Sequence, residues 1–578
     1  MGNFITMPKL GMTMTEGTIT KWLVEEGAAV EKGDYIFETE TDKTALEVDS
    51  LYGGTLLKIY HNPGDTVSVN EPVAFIGAEG EEIPELPVPV VAVAETAAST
   101  VPAAIDAPEA SAVTTAKKNF SKAQRMQGSF TYDLIVVGAG PGGYVAAIRA
   151  AQLGAKVAVI EKKDVGGTCL NRGCIPTKTF YASAQRYRNV TEAPELGITV
   201  GNVSFDWRTI LSRKNKIVAR LIGGVQELFK KNGIELIRGE ADIQKENEVL
   251  VDGKAYTTEF TLIATGTKPA SVVKADFVLP TTDEILDLAE LPKSIAIIGG
   301  GVIGCEIAGI FNTLGVRITM IELLPHILPL ADGEVRDALV NKMTQKGIRI
   351  LTNTSTEEIA KNDIGYTIRL SGGETIDVDL ILEATGRTPD GSAFAALDIK
   401  QTAKGYIETD EAQRTSRPAI YAIGDITGKY QLAHAASEQG IRAAEHMFGE
   451  NFEPAGNLMP SCIFADLEIA SVGITEEQAA EQGLSVAIYK YPYAANGKAL
   501  TLGESEGFVK VIADARWGEI LGVHIIGAEA SNLIEEAVAW MQLEATAESA
   551  GRTIHPHPTL SEMLAEAFLG TNGEAIHF

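Results

Sequence analysis

One sequence unit occurs twice in this 578-residue chain, and it restricts the possible folds more than any other feature. Each copy has an apolar strand, a glycine-rich turn, a helical stretch and a second strand that ends in glutamate. Glu161 and Glu322 each follow the first glycine of their turn by 23 residues. Each half later has Ala-Thr-Gly after an apolar strand. The repeat predicts two dinucleotide-binding α/β domains of one kind.

The glycine-rich turns are suited to bind a pyrophosphate. Glycine lets the backbone approach the phosphates, and the following helix offers free N–H groups and a positive dipole end. A carboxylate after the second strand accepts hydrogen bonds from a ribose and repels a 2′-phosphate, so Glu322 favours NAD over NADP. The glycines concerned are Gly138, Gly140 and Gly143 in the first turn and Gly299, Gly301 and Gly304 in the second.

Two cysteines five positions apart lie between the two copies. In an ideal helix the Cα atoms of Cys169 and Cys174 would be about 8.6 Å apart, more than the roughly 7 Å that a disulfide spans. A disulfide therefore requires a distorted helix, and strain makes it easier to reduce. The pair favours redox chemistry, with a metal site and two inert thiols as the alternatives. Cys305 and Cys462 stand alone and are expected to be buried.

The first 78 residues have the pattern of an all-β module. Short apolar runs alternate with glycine-containing turns in two similar halves, which predicts a flattened barrel of two sheets. The run Thr-Asp-Lys-Thr, with Lys43, forms a polar hairpin tip between the halves. Residues 79–116 contain ten alanines, five prolines, seven acidic residues and neither Lys nor Arg. This composition predicts an extended linker.

The charge of the chain excludes some classes of partner. It carries 49 basic and 77 acidic residues, a formal net charge of −28, so neither nucleic acid nor an anionic membrane surface is expected to bind. Four cysteines are too few for a secreted disulfide scaffold, and the N-terminus lacks the pattern of a signal peptide. The composition predicts a multidomain cytoplasmic protein.

Together the motifs resemble those of the flavin-dependent pyridine nucleotide-disulfide oxidoreductases. The similarity covers about 450 residues and rests on the glycine-rich turns, the run Gly-Gly-Thr-Cys-Leu-Asn-Arg-Gly-Cys-Ile-Pro-Thr-Lys, and His-Pro-His-Pro-Thr-Leu-Ser-Glu at 555–562. It implies FAD on the first nucleotide domain, NAD on the second, and a homodimer formed through the C-terminal domain. No metal is expected.

The N-terminal module is similar to lipoyl domains, with lipoate covalently attached to Lys43. Biotinyl domains resemble it in fold but usually have Met on both sides of the lysine, where this chain has Asp42 and Thr44. Together with the oxidoreductase body, the module implies the branch of the family that oxidises dihydrolipoamide with NAD⁺ in 2-oxoacid dehydrogenase complexes, with pyruvate expected. Two alternative functions remain: a related NAD(P)H-dependent flavin disulfide reductase, or a subunit that acts mainly as a lipoyl-carrying scaffold.

The resemblance implies several domains in one chain: an all-β lipoyl domain, an α/β body with two Rossmann-like domains, and an α+β dimerisation domain. The expected limits are 1–78 for the lipoyl domain, 79–128 for the linker, 129–276 for the FAD-binding domain, 277–390 for the NAD-binding domain, 391–456 for a central FAD-contacting domain and 457–578 for the dimerisation domain.

The resemblance further implies a catalytic role for each of several residues. Cys169 exchanges with the substrate, Cys174 is the sulfur nearer the flavin, and His557 is the base, with His555 as its competitor. The other expected catalytic residues are Glu562, which orients the histidine, and Lys178 and Glu306, which pair beside the flavin.

Cofactor contacts are implied in the same way. Residues expected to bind FAD are Gly138, Gly140, Gly143, Glu161, Lys178, Thr265, Gly266, Asp425, Leu432 and Ala433. Residues expected to bind NAD are Gly299, Gly301, Gly304, Glu306, Glu322 and Gly386.

Overall fold

A computed structural model describes most of the chain. The described residues are 3–7, 16–40, 45–50, 52–68, 71–78, 81, 128–273, 275–363, 365–449 and 458–578. They belong to two compact units, residues 1–115 and 116–578. Almost all of the predicted linker, 79–128, lies outside the described residues. Within these ranges, no helix has the length and apolar character needed to cross a membrane.

The N-terminal unit is a flattened barrel of two four-stranded antiparallel sheets, which confirms the prediction. Its strands are β1 (Asn3–Thr6), β2 (Glu16–Trp22), β3 (Ala29–Val30), β4 (Tyr35–Glu40), β5 (Ala45–Asp49), β6 (Gly54–Ile59), β7 (Thr66–Ser68) and β8 (Pro72–Gly77). The strand orders are β1-β8-β6-β3 and β5-β4-β2-β7. Ile19, Phe37 and Leu56 are fully buried in its core. Lys43 belongs to the four residues between β4 and β5 and lies outside the described residues.

The first copy of the repeat folds as predicted, with the elements β9 (Tyr132–Val137), α1 (Pro141–Gln152) and β10 (Val157–Glu161). The next elements are α2 (Gly167–Arg172), α3 (Cys174–Glu192), α4 (Trp207–Lys231), β11 (Glu235–Arg238), β12 (Ala241–Lys245), β13 (Glu248–Val251), β14 (Lys254–Ile263) and β15 (Thr267–Pro269). Strands β11, β10, β9 and β14 are parallel neighbours, and β13 and β12 continue the sheet antiparallel to β14. A parallel sheet with crossover helices is the architecture that the repeat requires.

The second copy has the same order, with β16 (Ser294–Ile298), α5 (Val302–Thr313) and β17 (Arg317–Ile321). The next elements are α6 (Gly333–Gln345), β18 (Arg349–Leu351), β19 (Thr356–Asn362), β20 (Gly365–Leu370), β21 (Thr375–Val378), β22 (Leu380–Glu383) and β23 (Arg387–Pro389). A parallel sheet has the order β18-β17-β16-β22, and β19-β20-β21 form a separate antiparallel sheet. Strands β15 and β23, which follow the two Ala-Thr-Gly motifs, pair antiparallel with each other.

The chain then returns to the first sheet before it forms the C-terminal domain. Strand β24 (Ile420–Ala422) pairs with β14, and α7 (Ala433–Phe448) packs closely on α1. A Cβ on Gly142 would lie 2.8 Å from the Ala436 carbonyl oxygen, so the glycine permits this helix contact. Single 3-10 turns occur at Ala193–Leu196, Ile285–Asp287, Ser392–Phe394, Gly424–Thr427 and Tyr493–Ala495.

The C-terminal domain is a five-stranded antiparallel sheet with the order β25-β26-β29-β28-β27 and several packed helices. Its elements are β25 (Ser461–Phe464), β26 (Glu468–Gly473), α8 (Glu476–Glu481), β27 (Val486–Pro492), α9 (Gly497–Leu502), β28 (Phe508–Asp514), β29 (Ile520–Ile526), α10 (Ala530–Gln542), α11 (Ala547–Gly551) and α12 (Glu562–Gly570). This mixture of sheet and helix is the α+β domain that the sequence predicted.

Candidate active site

The first glycine of each turn has a backbone conformation that favours glycine. Gly138 has a φ of +107° and Gly299 a φ of +109°, values that L side chains rarely adopt. A Cβ would lie 2.3 Å from the Ala264 carbonyl oxygen at Gly138 and 2.4 Å from the Ala384 carbonyl oxygen at Gly299. These glycines therefore let each turn pack against the strand end that carries Ala-Thr-Gly.

The middle glycines lack a side chain for a different reason. Gly140 and Gly301 have ordinary φ values of −69° and −75°, and each caps a helix without a side-chain hydrogen bond. An added Cβ would meet no atom within 4 Å at Gly301, and only the Gly167 Cα, at 3.9 Å, at Gly140. Since neither backbone strain nor packing requires glycine here, the open space before each helix fits a pyrophosphate that approaches the backbone.

Equivalent carboxylates lie at the edge of the two turns. Glu161 Oε2 accepts a hydrogen bond from the Ala139 amide at 2.8 Å, and Glu322 Oε2 accepts one from the Gly300 amide at 2.6 Å. The other oxygen of each accepts from the amide two residues further along the chain, at 2.8 and 2.7 Å. Both side chains keep a small exposed fraction. This geometry fits the predicted contact with a ribose, which stays a prediction.

The cysteine pair lies across a break between two helices. Helix α2 ends at Arg172 and α3 begins at Cys174, because Gly173 has φ −145° and ψ −115°. A Cβ on Gly173 would lie 3.1 Å from the Thr168 carbonyl oxygen. The distance derived for a continuous helix therefore does not apply, and the break supplies the distortion that a disulfide needs. Both sulfurs are free thiols in the structure.

The surroundings make the two thiols chemically different. A hydrogen bond from the Cys169 thiol lowers the pKa of Cys174, burial opposes this shift, and the ammonium of Lys178 adds to it. The same hydrogen bond and burial raise the pKa of Cys169. The Cys174 amide, at the first turn of α3, also favours a thiolate. Cys174 is therefore the better leaving group of the pair.

Lys178 and Glu306 form an ion pair beside this thiol. The Lys178 Nζ lies 2.8 Å from each carboxylate oxygen, and the Glu306 side chain is only 6% exposed. The Phe464 amide donates to Glu306 Oε1 at 3.0 Å, and its ring lies 4.7 Å from the Lys178 Nζ. The predicted pairing is thus present in the structure, and α3, α5 and β25 meet at this point.

The two candidate histidines have different partners. His557 Nδ1 lies 2.9 Å from Glu562 Oε1, and the His557 side chain is 79% exposed. His555 Nε2 instead lies 2.7 Å from Glu536 Oε1, and its Nδ1 lies 2.8 Å from the Thr553 carbonyl oxygen. Both ring nitrogens of His555 are thus engaged, whereas among the described residues no hydrogen bond to His557 Nε2 occurs. This geometry favours His557 as the base.

Glu562 is held by its own segment. Although burial acts in the opposite direction, hydrogen bonds from the Thr559 amide and His557 lower the pKa of Glu562. The peptide bond between His557 and Pro558 is cis.

No hydrogen bond or ion pair between described residues of one chain joins His557 to the cysteine pair. The predicted site shared between two subunits agrees with this arrangement and stays a prediction.

Asp425 lies in the 3-10 turn after β24. The Gly424 amide donates to Gln439 Oε1 of α7 at 2.7 Å, which ties this turn to the helix. The Thr267 hydroxyl donates to Asp425 Oδ2 at 3.1 Å. Burial raises the pKa of Asp425 despite this hydrogen bond. The turn, its carboxylate and the N-terminus of α7 form a polar edge where the sequence predicts the second FAD contact.

The other residues predicted to bind cofactors lie at element ends. Thr265 and Gly266 follow β14, Gly386 follows β22, and Leu432 and Ala433 form the start of α7. Gly266 has φ +71° and Gly386 has φ +112°, and a Cβ on either would meet no atom within 4 Å. Their cofactor contacts stay predictions.

Sequence reasoning missed three residues of the site region, Thr267, Arg387 and Phe464. Arg387 Nε donates to the Thr267 hydroxyl at 2.9 Å, and Arg387 Nη2 donates to the Thr267 carbonyl oxygen at 2.8 Å. The third is Phe464, which contacts the Lys178–Glu306 pair. The signal for the first two was available, since Ala-Thr-Gly-x-x-Pro occurs in both halves and marks the strands that pair.

The two isolated cysteines differ from each other. Cys305 is fully buried, as predicted, and burial raises its pKa. Cys462 is only half-buried on β25, so the prediction of a buried residue was wrong for this cysteine. Strand β25 lies at the edge of its sheet, where β26 is its one neighbour within the part of the chain that the structure describes. Among the described ranges, no cluster of three or more His, Cys, Asp or Glu side chains has the arrangement to hold a metal ion.

Comparison with known families decides the classification. Residues 132–440 match the family described as pyridine nucleotide-disulphide oxidoreductase, and residues 459–568 match its dimerisation domain. The chain belongs to the pyridine nucleotide-disulphide oxidoreductase family. Residues 3–76 match the biotin and lipoyl family described as "Biotin-requiring enzyme".

Several curated relatives of this oxidoreductase carry one name. The chain is 41% identical over 478 residues to the dihydrolipoyl dehydrogenase of Bacillus subtilis (strain 168), which covers 77% of this chain and 99% of that protein. It is 41% identical over 458 residues to that of Chlamydia pneumoniae and 39% identical over 461 residues to that of Thermus scotoductus. Each of these also covers 77% of this chain, and the alignments include 98% and 99% of those proteins.

Solved structures agree with this classification. LpdA from Mycobacterium tuberculosis has a TM-score of 0.70 at 26% identity, covering 75% of this chain and 98% of that one. The HOCl-induced flavoprotein disulfide reductase RclA from Escherichia coli has a TM-score of 0.68 at 26% identity, covering 76% and 99%.

Membership of this oxidoreductase family implies FAD and NAD(H), and the N-terminal module implies covalently attached lipoate. The two glycine-rich turns fit FAD and NAD(H), because a Cβ at Gly301 would meet no atom within 4 Å and one at Gly140 would meet only the Gly167 Cα, at 3.9 Å. The turns that would hold them are the same two that the sequence repeat predicted.

Proposed function

We propose that this chain oxidises dihydrolipoamide to lipoamide and transfers the electrons to NAD⁺. The observation that carries the proposal is a cysteine pair at a helix break, with unequal thiols, in a chain that also has a lipoyl-type module. The names of the curated relatives support the same activity. FAD, when bound, supplies the two-electron acceptor between the dithiol and NAD⁺.

The first step needs a thiolate, because the protonated thiol is a poor nucleophile. His557 accepts a proton from one substrate thiol, and Glu562 orients the ring through the 2.9 Å contact and stabilises the imidazolium. The substrate thiolate attacks the Cys169 sulfur of the oxidised pair. The bond between the two cysteine sulfurs breaks, and Cys174 leaves as the thiolate that its lowered pKa favours.

The second step releases the product. The remaining substrate thiol attacks its own sulfur that is bound to Cys169, and lipoamide leaves with its disulfide closed. Cys169 leaves as a thiolate and takes a proton, in agreement with its raised pKa. The substrate dithiol is oxidised by two electrons, and the cysteine pair is reduced by two. The sum with NAD⁺ is lipoamide, NADH and one proton.

The substrate arm is proposed to be a lipoyl group on Lys43 of this chain or on another subunit. Tethering such a group raises its concentration near the active site to about the millimolar range. We further propose a cytoplasmic homodimer within a 2-oxoacid dehydrogenase complex, with pyruvate as the expected substrate of that complex. The domain limits given for the sequence belong to this proposal.

The test uses the purified full-length chain with bound FAD. Dihydrolipoamide and NAD⁺ should give NADH, followed by its absorbance, and Cys169→Ser should abolish the reaction while FAD stays bound. A chain that instead reduces a different disulfide with NADH or NADPH, and does not turn over dihydrolipoamide, would overturn the proposal. A chain that carries lipoate but turns over neither dihydrolipoamide nor another disulfide would also overturn the proposal.

A further inference from the structure

A short turn before β16 docks onto helices of the first nucleotide-binding half. The turn, residues 280–288, crosses to the end of β22, where the Glu383 amide donates to the Pro280 carbonyl oxygen. The buried Lys214 side chain of α4 has its Nζ 2.5 Å from Asp287 Oδ1. The Trp207 indole donates to the Leu288 carbonyl oxygen at 2.8 Å. The two nucleotide-binding halves are thus joined at this turn as well as at the β15–β23 pair.

Asp283 is the residue of this turn that lies between two arginines. Its Oδ2 lies 3.8 Å from Arg172 Nε, and its Oδ1 lies 3.7 Å from Arg387 Nη1. The three side chains are 24%, 26% and 10% exposed, so all are largely shielded from water. Asp283 Oδ1 is buried and accepts no hydrogen bond from the described residues. A carboxylate so placed is held by charge from both sides.

The two arginines lead to different parts of the site. Arg172 is the last residue of α2, and only Gly173 separates it from Cys174. Arg387 donates twice to Thr267, whose hydroxyl donates to Asp425. One carboxylate therefore connects the helix break at the cysteine pair with the paired strands between the two halves.

Arg172 has a second acidic neighbour in the same turn. Burial raises the pKa of Glu284, but hydrogen bonds from the Thr281 hydroxyl and amide and, more weakly, the positive charge of Arg172 lower it below its ordinary value. Glu284 is already engaged by the Thr281 amide and hydroxyl. Asp283 alone among these residues makes ion pairs with both arginines.

We propose that Asp283 is a positioning residue that holds the end of α2 and thereby keeps the sulfurs of Cys169 and Cys174 close enough to form their disulfide. The proposal deepens the proposed function and rests on it. Without the carboxylate, the last turn of α2 loses its ionic contact with the turn at residues 280–288. The two sulfurs then spend less time at bonding distance, so the effective concentration of one near the other falls. The disulfide becomes easier to reduce.

The experiment compares wild type with Asp283→Asn as FAD-containing full-length proteins. Each is equilibrated with a dithiol–disulfide redox buffer, and the free thiols are alkylated and counted by peptide mass. Asp283→Asn should shift the thiol–disulfide equilibrium about tenfold towards the dithiol, or about 30 mV in reduction potential. Because the cysteine pair must close its disulfide again in every turnover, and this closure is slowed, the kcat for dihydrolipoamide should fall about tenfold while the KM for NAD⁺ stays within about twofold. Asp283→Glu keeps the carboxylate and should restore most of both values.

Glu290→Gln is the matched control. This residue, near the same turn, pairs with Arg208 at 3.4 Å, and both side chains are about 80% exposed. Loss of an exposed pair should leave the thiol–disulfide equilibrium unchanged. If Asp283→Asn does not fold, Arg172→Gln removes one of the same ion pairs from the other side and must give the same shift.

A folded Asp283→Asn with the wild-type equilibrium would overturn the inference. An equal shift in Glu290→Gln would also overturn it. The redox equilibrium is measured without lipoamide, so a failure of the proposed function appears separately, as a wild-type protein that does not turn over dihydrolipoamide.

Discussion

The ammonium of Lys178 lies 2.8 Å from both carboxylate oxygens of Glu306, across 128 positions of sequence. The two charges act in opposite directions on Cys174, because Lys178 lowers the pKa of this thiol and Glu306 raises it. The positive charge that favours the Cys174 thiolate is therefore itself balanced by a nearly buried partner. The balance can be tested from both sides.

Lys178→Met should raise the pKa of Cys174, and Glu306→Gln should lower it. The measurement is the pH dependence of iodoacetamide alkylation at Cys174 in the reduced protein, followed by peptide mapping. At one pH near neutrality, alkylation should be slower in the first variant and faster in the second. Lys245→Met, which removes an exposed pair with Glu248, serves as the control. Shifts of the same sign in both test variants would contradict this account.

The two histidines should separate catalysis from stability. His557→Gln should lower kcat about 10²–10⁴-fold, the range for general acid–base catalysis, with little change in the melting temperature. His555→Gln should keep more activity but lose the Glu536 contact, which costs roughly 1 kcal/mol of unfolding free energy. A large loss of kcat in His555→Gln alone would mean that His555, and not His557, is the base.

The stability effect at His555 should depend on pH. The hydrogen bond with Glu536 raises the pKa of His555, so the folded state binds its proton more tightly than the unfolded state. The contribution is fully present below the unfolded pKa of about 6.5 and is lost as pH rises through the higher folded pKa. The difference in melting temperature between wild type and His555→Gln should therefore be larger at acidic than at alkaline pH. A difference that grows with pH would contradict the assignment.

Nucleotide choice should depend on Glu322. Glu322→Arg should shift the ratio of kcat/KM values towards NADP⁺, because the carboxylate repels a 2′-phosphate and arginine attracts it. Glu161→Arg is the matched control at the equivalent position of the other turn, and should weaken FAD retention without changing that ratio. An unchanged ratio in Glu322→Arg would mean that this carboxylate is not at the ribose.

Subunit mixing tests whether the site is shared. In a dimer of Cys169→Ser with His557→Ala, one site receives both defects and the other receives neither. Random exchange of equal amounts gives about half heterodimers, so about a quarter of the wild-type activity should return. No recovery, with exchange confirmed by mass spectrometry, would mean that His557 serves the cysteines of its own chain or is not the base.

The sequence by itself determined the order of elements and the positions of the nucleotide turns. Local patterns suffice for this, because a left-handed φ such as that of Gly138 favours glycine. A strand followed by a glycine-rich turn and a helix can likewise be recognised within about 30 residues of sequence. The equal spacing to Glu161 and Glu322 predicted two equivalent carboxylates, and both accept hydrogen bonds from backbone amides of their turns. The cysteine pair and its family motif were legible for the same reason.

Only the tertiary structure decided several of the pairings between charged groups. The family resemblance had already implied that Lys178 pairs with Glu306, but Asp283 meets Arg172 and Arg387 only through the packing of elements far apart in sequence. Ion pairs carry no sequence period, so their partners depend on where domains dock. The packing of α10 likewise places Glu536 at His555, whereas the contact of His557 with Glu562, five positions along the chain, was already implied by the family resemblance. Local sequence specifies the backbone, whereas long-range packing selects the partners that tune its chemistry.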